Sequence, residues 1–211
     1  MNYFEELSNS GNLIIRTSDY HRTMIPYHLS RSGLSPDKVI VNIEIESGHY
    51  LVPLSENGYE RLVALNSADT YFNHYKKMLG IECHKVNIET ERIPLPDQSV
   101  DAVLAIHIIE HLHNPIILLS EAIRILKIGG KLIIITPNWR KQVKTFWRDP
   151  THVHPYDKIS LTRLVKSYGF TLERIVNDGS RLGIDRLKLF KIFPWIGEII
   201  GHDMLLVAEK N

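Results

Sequence analysis

The chain has 211 residues, 44% of them hydrophobic and 23% charged, which is the composition of a globular domain with a sizeable core. Lys and Arg number 25 against 24 Asp and Glu, a net charge of +1 that argues against a nucleic-acid footprint or a polybasic membrane patch. A single cysteine, Cys83, excludes a disulfide framework within the chain and reads as a small buried hydrophobe in a strand.

The opening "MNYFEELSNSGN" lacks a basic region followed by an apolar run, so no secretory signal is expected there. Apolar runs such as "KLIIIT" and "NPIILL" are too short to span a bilayer, so a soluble cytoplasmic protein without a membrane partner is expected. Residues 1–37 precede the first core strand and are read as a cap over an edge or over the mouth of a cleft. Residues 38–211 are read as one domain.

From residue 38 the pattern alternates. "KVIVNIEI" predicts a strand and "GHYLVPLSENG" a helix ending at Gly58. "ERLVALN" is a second strand, and "ADTYFNHYKKMLG" a helix with Gly80 just past its end, where a glycine suits the left-handed cap. "ECHKVNI" is the third strand, and "VDAVLAI", after the turn "PLPDQS", is the fourth. "PIILLSEAIRILKIGG" then predicts a helix closed by two glycines, and "KLIIITP" the fifth strand. Strands apolar at nearly every position, each separated by a helix, imply a parallel sheet covered on both faces and wound right-handed.

After Pro137 the rhythm changes to the long connection "NWRKQVKTFWRDPTHVHPYD". A helix "KISLTRLVKSYG", a strand "FTLERIVN" and a last strand "HDMLLVAEK" follow, the two strands forming a hairpin against the parallel part. Between them, "FKIFPWIGEII" is apolar and aromatic; core or a homodimer contact is the expectation, with an acceptor pocket as a further reading.

Two clusters carry chemistry. "HIIEH", His107 to His111, matches the H-x-x-E-H spacing of inverted zinc peptidases, which requires one continuous helix. Here it starts at a strand end, so His107 is expected on a cleft floor, Glu110 and His111 at the start of the next helix, and no metal. "DPTHVHPY" places His152 and His154 two apart with Tyr156 beyond, so both imidazoles can face one side of an extended segment. Histidine titrates near neutrality and suits a general base, while a structural lid is the competing reading of the same loop.

The stretch "IPLPDQSVDAVLAIHIIEHLHNPIILLSEAIRILKIGGKLIIITPN" resembles the class I S-adenosylmethionine-dependent methyltransferases (type 11/23-like), as does the order of elements over residues 38–210. A Pro-x-Pro-Asp turn, an acidic-His pair (Glu110, His111) and an L-K-x-G-G turn carry the likeness. The resemblance implies a doubly wound Rossmann-like fold, a mostly parallel seven-stranded sheet with a C-terminal antiparallel hairpin. It also implies S-adenosylmethionine at the carboxyl ends of the first strands and a small-molecule or glycan acceptor.

The family's Asp-x-Gly-x-Gly-x-Gly loop falls on "NIEIESG": Asn42 at the acidic position, Glu44 and Glu46 at two glycines, and Gly48 retained. Asn66 stands where an acid would hold the ribose, and Asn87 where an acid would lie near the adenine. Asn42, Glu44, Glu46, Gly48, Asn66, Asn87 and His107 are therefore the implied cofactor shell, and His152, His154 and Tyr156 the acceptor side. A glutamate in a glycine loop adds bulk and charge, and Glu46 could itself occupy the anion-favouring end of the next helix. Two functional readings stay open: a methyltransferase with a diverged loop, or a non-catalytic relative that binds another ligand or protein.

Overall fold

Seven strands hydrogen-bond in the order β3-β2-β1-β4-β5-β7-β6. The computed structural model describes residues 19–43, 50–69, 72–178 and 201–211. In chain order these carry α1 (Asp19–Arg31), β1 (Ile40–Ile43), α2 (Leu51–Glu56), β2 (Leu62–Asn66), α3 (Phe72–Leu79), β3 (Glu82–Lys85) and β4 (Val100–Ile106). Next come α4 (Pro115–Ile125), β5 (Leu126–Pro137), α5 (Lys158–Ser167), β6 (Phe170–Asp178) and β7 (Asp203–Lys210).

Strands β1 to β5 are parallel, while β7 runs antiparallel to both β5 and β6. The expected terminal hairpin is present, with the last strand inside and β6 at the edge. Alternation along the strands splits the core in two. One face carries Val41, Ile43, Val103, Ala105, Ile134 and Leu206 against Leu118 and Leu119 of α4 and Leu161 and Val165 of α5. The other carries Ile40, Ala64, Leu104, Ile133 and Leu205 against Ile25 and Leu29 of α1, Leu51 and Leu54 of α2, and Phe72 and Tyr75 of α3. Each such Leu or Ile side chain contributes about 1.5–3 kcal/mol when fully buried. Helix α1 thus covers a sheet face, deeper than an edge cap would lie.

Two boundaries differ from expectation. Helix α4 ends at Ile125 and β5 begins at Leu126, because Leu126 already pairs with Val100 before a register shift. Gly130 sits in that irregularity, where an added Cβ would lie 2.8 Å from the Lys127 carbonyl oxygen. The segment 107–114 is a turn, so Glu110 and His111 precede the helix. The reason is local: the Asn114 side chain accepts from Ile116 N–H as the cap and Pro115 opens the first turn. The single cysteine is buried as expected, and burial pushes its thiol upward.

Candidate functional site

Between β1 and β4 the winding reverses, and the crevice outside the carboxyl ends of those strands is where an open α/β sheet binds ligands. Asn42, next to last in β1, lies in register with Ala64 of β2 and Leu104 of β4. It is 1% exposed, and among the described residues neither its Nδ2 nor its Oδ1 has a hydrogen-bond partner. Leaving an amide buried and unmatched costs about 1–3 kcal/mol. Asn66, at the end of β2 on the same face, is buried and donates from Nδ2 to the Ala68 carbonyl (2.9 Å). Asn87 lies beyond β3 and is exposed, its Oδ1 accepting the Glu89 N–H (3.0 Å) in a local turn. Glu44, Glu46 and Gly48 lie outside the described residues, as does the apolar stretch Phe190–Ile200.

His107 follows β4 directly, with φ at 50° and its N–H donating to the Ile135 carbonyl (2.8 Å). A left-handed φ is unusual for a residue with a side chain and marks a strained position. Its Nδ1 lies 3.4 Å from Glu110 Oε1 and its Nε2 3.8 Å from Asp203 Oδ2, both carboxylates fully buried. Burial pushes the Glu110 carboxyl up, but the His107 imidazole, the Glu110 backbone N–H and the Thr136 hydroxyl outweigh it and hold the group below the usual carboxylate range. The Thr136 hydroxyl donates to Glu110 Oε2 at 2.9 Å. Gln142 donates from Nε2 to Asp203 Oδ1 (3.1 Å) and to the His202 carbonyl (2.9 Å).

The connection from Asn138 to Asp157 crosses this end of the sheet. Backbone N–H groups of Val153 and His154 both donate to the Glu110 carbonyl (2.9 and 3.1 Å), and Trp139 N–H donates to the Tyr156 carbonyl (2.9 Å). Of the three acceptor-side residues, His152 is buried, with Nδ1 donating to the Phe146 carbonyl (2.8 Å) and its ring 4.7 Å from that of His111. His154 is half-buried, with Nε2 3.4 Å from the His113 carbonyl. Tyr156 is buried, and burial together with the Glu110 charge pushes its phenol up to about 12, so it stays protonated. The two histidines each meet the 107–114 turn, His152 at His111 and His154 at the His113 carbonyl.

Sequence reading missed Asp203, Thr136 and Gln142. For Asp203 there was a signal: one acid opens an otherwise apolar strand, "DMLLVA", where a solvated carboxylate has no place.

The sheet order, the switch-point crevice and the buried polar residues on its floor define a Rossmann-like methyltransferase fold. Residues 23–175 match the family model of the methyltransferase domain, and the chain belongs to that family. Among solved structures, an S-adenosylmethionine-dependent methyltransferase from Archaeoglobus fulgidus superposes with a TM-score of 0.68 at 19% identity, covering 99% of this chain and 100% of that one. The [4+2]-cyclase SpnF superposes with a TM-score of 0.68 at 14% identity, covering 90% of this chain and 80% of that one.

A probable S-adenosylmethionine-dependent methyltransferase of Mycolicibacterium smegmatis is 36% identical over 85 residues, 38% of this chain and 32% of that protein. Another, MT3114 of Mycobacterium tuberculosis, is 30% identical over 115 residues, 52% of this chain and 40% of that protein. These alignments span about a third to two-fifths of the relatives' length. Among the described residues, no helix is long and apolar enough to cross a membrane.

Proposed function

We propose that this protein binds S-adenosylmethionine in the crevice at β1 and β4 and transfers its methyl group to a small-molecule or glycan acceptor. The observation that carries the reading is the orphaned amide of Asn42. A buried donor and a buried acceptor side by side at the switch point fit a polar ligand, and family membership and the relatives' names supply the cofactor class. Asn66 and His107 complete the inner wall and Asn87 the exposed rim. With Asn42, Asn66 and Asn87 in place of acids, these contacts are hydrogen bonds between neutral groups, weaker than charge-assisted ones.

When bound, S-adenosylmethionine supplies a methyl group on a sulfonium. What the chain does is hold and exclude. Asn42 and Asn66 orient the ligand, and the 138–157 segment closes over the crevice and keeps water out. Methyl transfer asks mainly for alignment, with a base only where the acceptor must lose a proton. His154, the more open of the two lid histidines, is the residue for that proton. Tyr156, held as a phenol, serves as a hydrogen-bond donor.

A second reading, a fold retained for other chemistry or for binding alone, is favoured by the three amides and by the cyclase among the structural neighbours. Calorimetry or thermal shift with S-adenosylmethionine and its demethylated product separates the two. Binding in the micromolar range supports the enzyme, and ligand at a hundred times its Kd stabilises by about 2.7 kcal/mol. No response at millimolar ligand leaves the second reading standing.

A further inference from the structure

The H-x-x-E-H stretch does not form the helix that a zinc peptidase needs, yet two of its residues meet a third from the lid. Glu110, His111 and His152 each bring one ligand atom into a cluster whose members all lie within 4.8 Å of one another. We propose that these three residues form a site for one borderline divalent cation of the zinc class, which fastens the 138–157 segment to the turn after β4.

The hydrogen bonds around the cluster set the right tautomers. His152 Nδ1 donates to the Phe146 carbonyl, an acceptor only, which leaves the lone pair on Nε2. The Thr151 hydroxyl donates to Asp149 Oδ1 (2.6 Å), so it receives from His111 Nδ1 (2.8 Å), and the lone pair of His111 again falls on Nε2. Among the described residues no hydrogen bond engages either Nε2. Pinning Nδ1 on a carbonyl or hydroxyl leaves Nε2 as the atom each ring can offer a cation, the arrangement by which outer groups orient imidazole ligands.

Glu110 supplies the charge. It is fully buried, its Oε1 lies 3.4 Å from His107 Nδ1, and its Oε2 is anchored by Thr136. Asp149 Oδ2, 3.9 Å from His152 Nε2, adds a further negative neighbour.

Two imidazoles and a carboxylate suit zinc and its first-row neighbours better than the hard cations, which prefer oxygen alone. Bonds of about 2.0–2.2 Å require the ligand atoms to draw in by roughly an ångström, and three protein ligands leave a position for water or an acceptor atom. The Glu110 turn and the lid are already joined by backbone bonds from Val153 and His154, so the contraction moves side chains more than backbone. The site does not rest on the methyltransferase reading.

The test uses the full chain, free of tags and stripped of metal, titrated with Zn2+ by calorimetry and with Co2+ by visible absorbance. One equivalent should bind, with Co2+ giving the intense bands of a four- or five-coordinate site. His111→Ala and His152→Ala should each weaken Zn2+ by roughly tenfold or more, while His84→Ala, remote from the cluster, should bind as the parent does. Should an alanine variant fail to fold by circular dichroism, His111→Gln and His152→Gln keep a side-chain amide for the Thr151 and Phe146 contacts and remove only the imidazole. The proposal is overturned if no Zn2+ is held at about 100 µM free ion, a bound of roughly 5.5 kcal/mol. It is equally overturned if the double glutamine variant binds undiminished, which would place the ion elsewhere.

Discussion

His107 Nε2 faces Asp203 Oδ2 at 3.8 Å, joining the turn after β4 to the first residue of β7. With Glu110 on the other side of the ring, one imidazole stands between two fully buried carboxylates. The His107 imidazole is one of the groups that hold the buried Glu110 carboxyl below the usual carboxylate range. Removing the ring takes a shared partner from two buried carboxylates at once. His107→Ala is expected to lower stability by about 3–5 kcal/mol, read as a urea midpoint with unchanged slope. Adding Asp203→Asn should recover part of that loss, because the asparagine oxygen can still accept from Gln142. A double variant no more stable than His107→Ala would show that the loss comes from the strained backbone.

Asn42 makes a prediction of opposite sign for stability and for binding. Asn42→Val removes a buried amide that has no hydrogen-bond partner among the described residues. The free protein should gain on the order of 1 kcal/mol, while its thermal shift with S-adenosylmethionine disappears. A variant that is both destabilised and still responsive would remove Asn42 from the binding site.

His28 gives a pH dependence. It is buried on α1, among the described residues neither ring nitrogen has a hydrogen-bond partner, and burial, then the charges of Arg174 and Arg31, lower its pKa to about 3. The unfolded chain takes up this proton near pH 6.5 and the folded one does not, so the unfolded state binds more protons below that pH. Stability is therefore full above about pH 6.5 and falls as pH drops toward 3, by at most about 1.4 kcal/mol per pH unit. His28→Gln, which cannot titrate, should flatten this part of the curve from pH 6.5 to 4.5. An unchanged acid slope would assign it to other groups.

The N-terminus of α5 gives the acid limb at lower pH. Asp157 caps it, with Oδ1 accepting from Ser160 N–H (2.8 Å) and the Ser160 hydroxyl returning a bond to the Asp157 N–H. That backbone contact, with the Arg140 guanidinium, holds the carboxyl down to about 2 despite its burial. Its folded pKa is depressed, so the contribution is present above about pH 4 and is lost as pH falls toward 2. Asp157→Ala should cost about 1–2 kcal/mol at neutral pH, and Asp157→Ser less, since serine also caps. Equal losses would point to the Arg140 pair instead of the cap.

Strands β2, β4 and β5 were legible because buried parallel strands read as apolar runs, as in Leu62–Leu65, Ala102–Ile106 and Leu132–Ile135. The helix stops at Gly58 and Gly80 were legible because the chain takes a positive φ there, 84° and 66°. What escaped depends on pairing across the chain. Strand β5 starts early because Val100 waits opposite Leu126, and His111 meets His152 because two Glu110 carbonyl bonds dock the lid. Neither pairing leaves a periodic trace. Asn87 read like its neighbours Asn42 and Asn66, yet it is exposed and its Oδ1 is taken up by its own turn, which leaves its Nδ2 for a ligand.

The last strand lies inside the sheet, between β5 and β6, and this sets an order of events. β6 touches the rest of the sheet through β7, so it has no ladder to join until residues 203–210 arrive. Asp203 arrives with them, and with it the second carboxylate beside His107. During synthesis the parallel half can form while β5 still offers an open edge, the exposed intermediate from which such sheets misassemble. The crevice gains Asp203 beside His107 only when that edge is closed, so completion of the fold and completion of the site are one event.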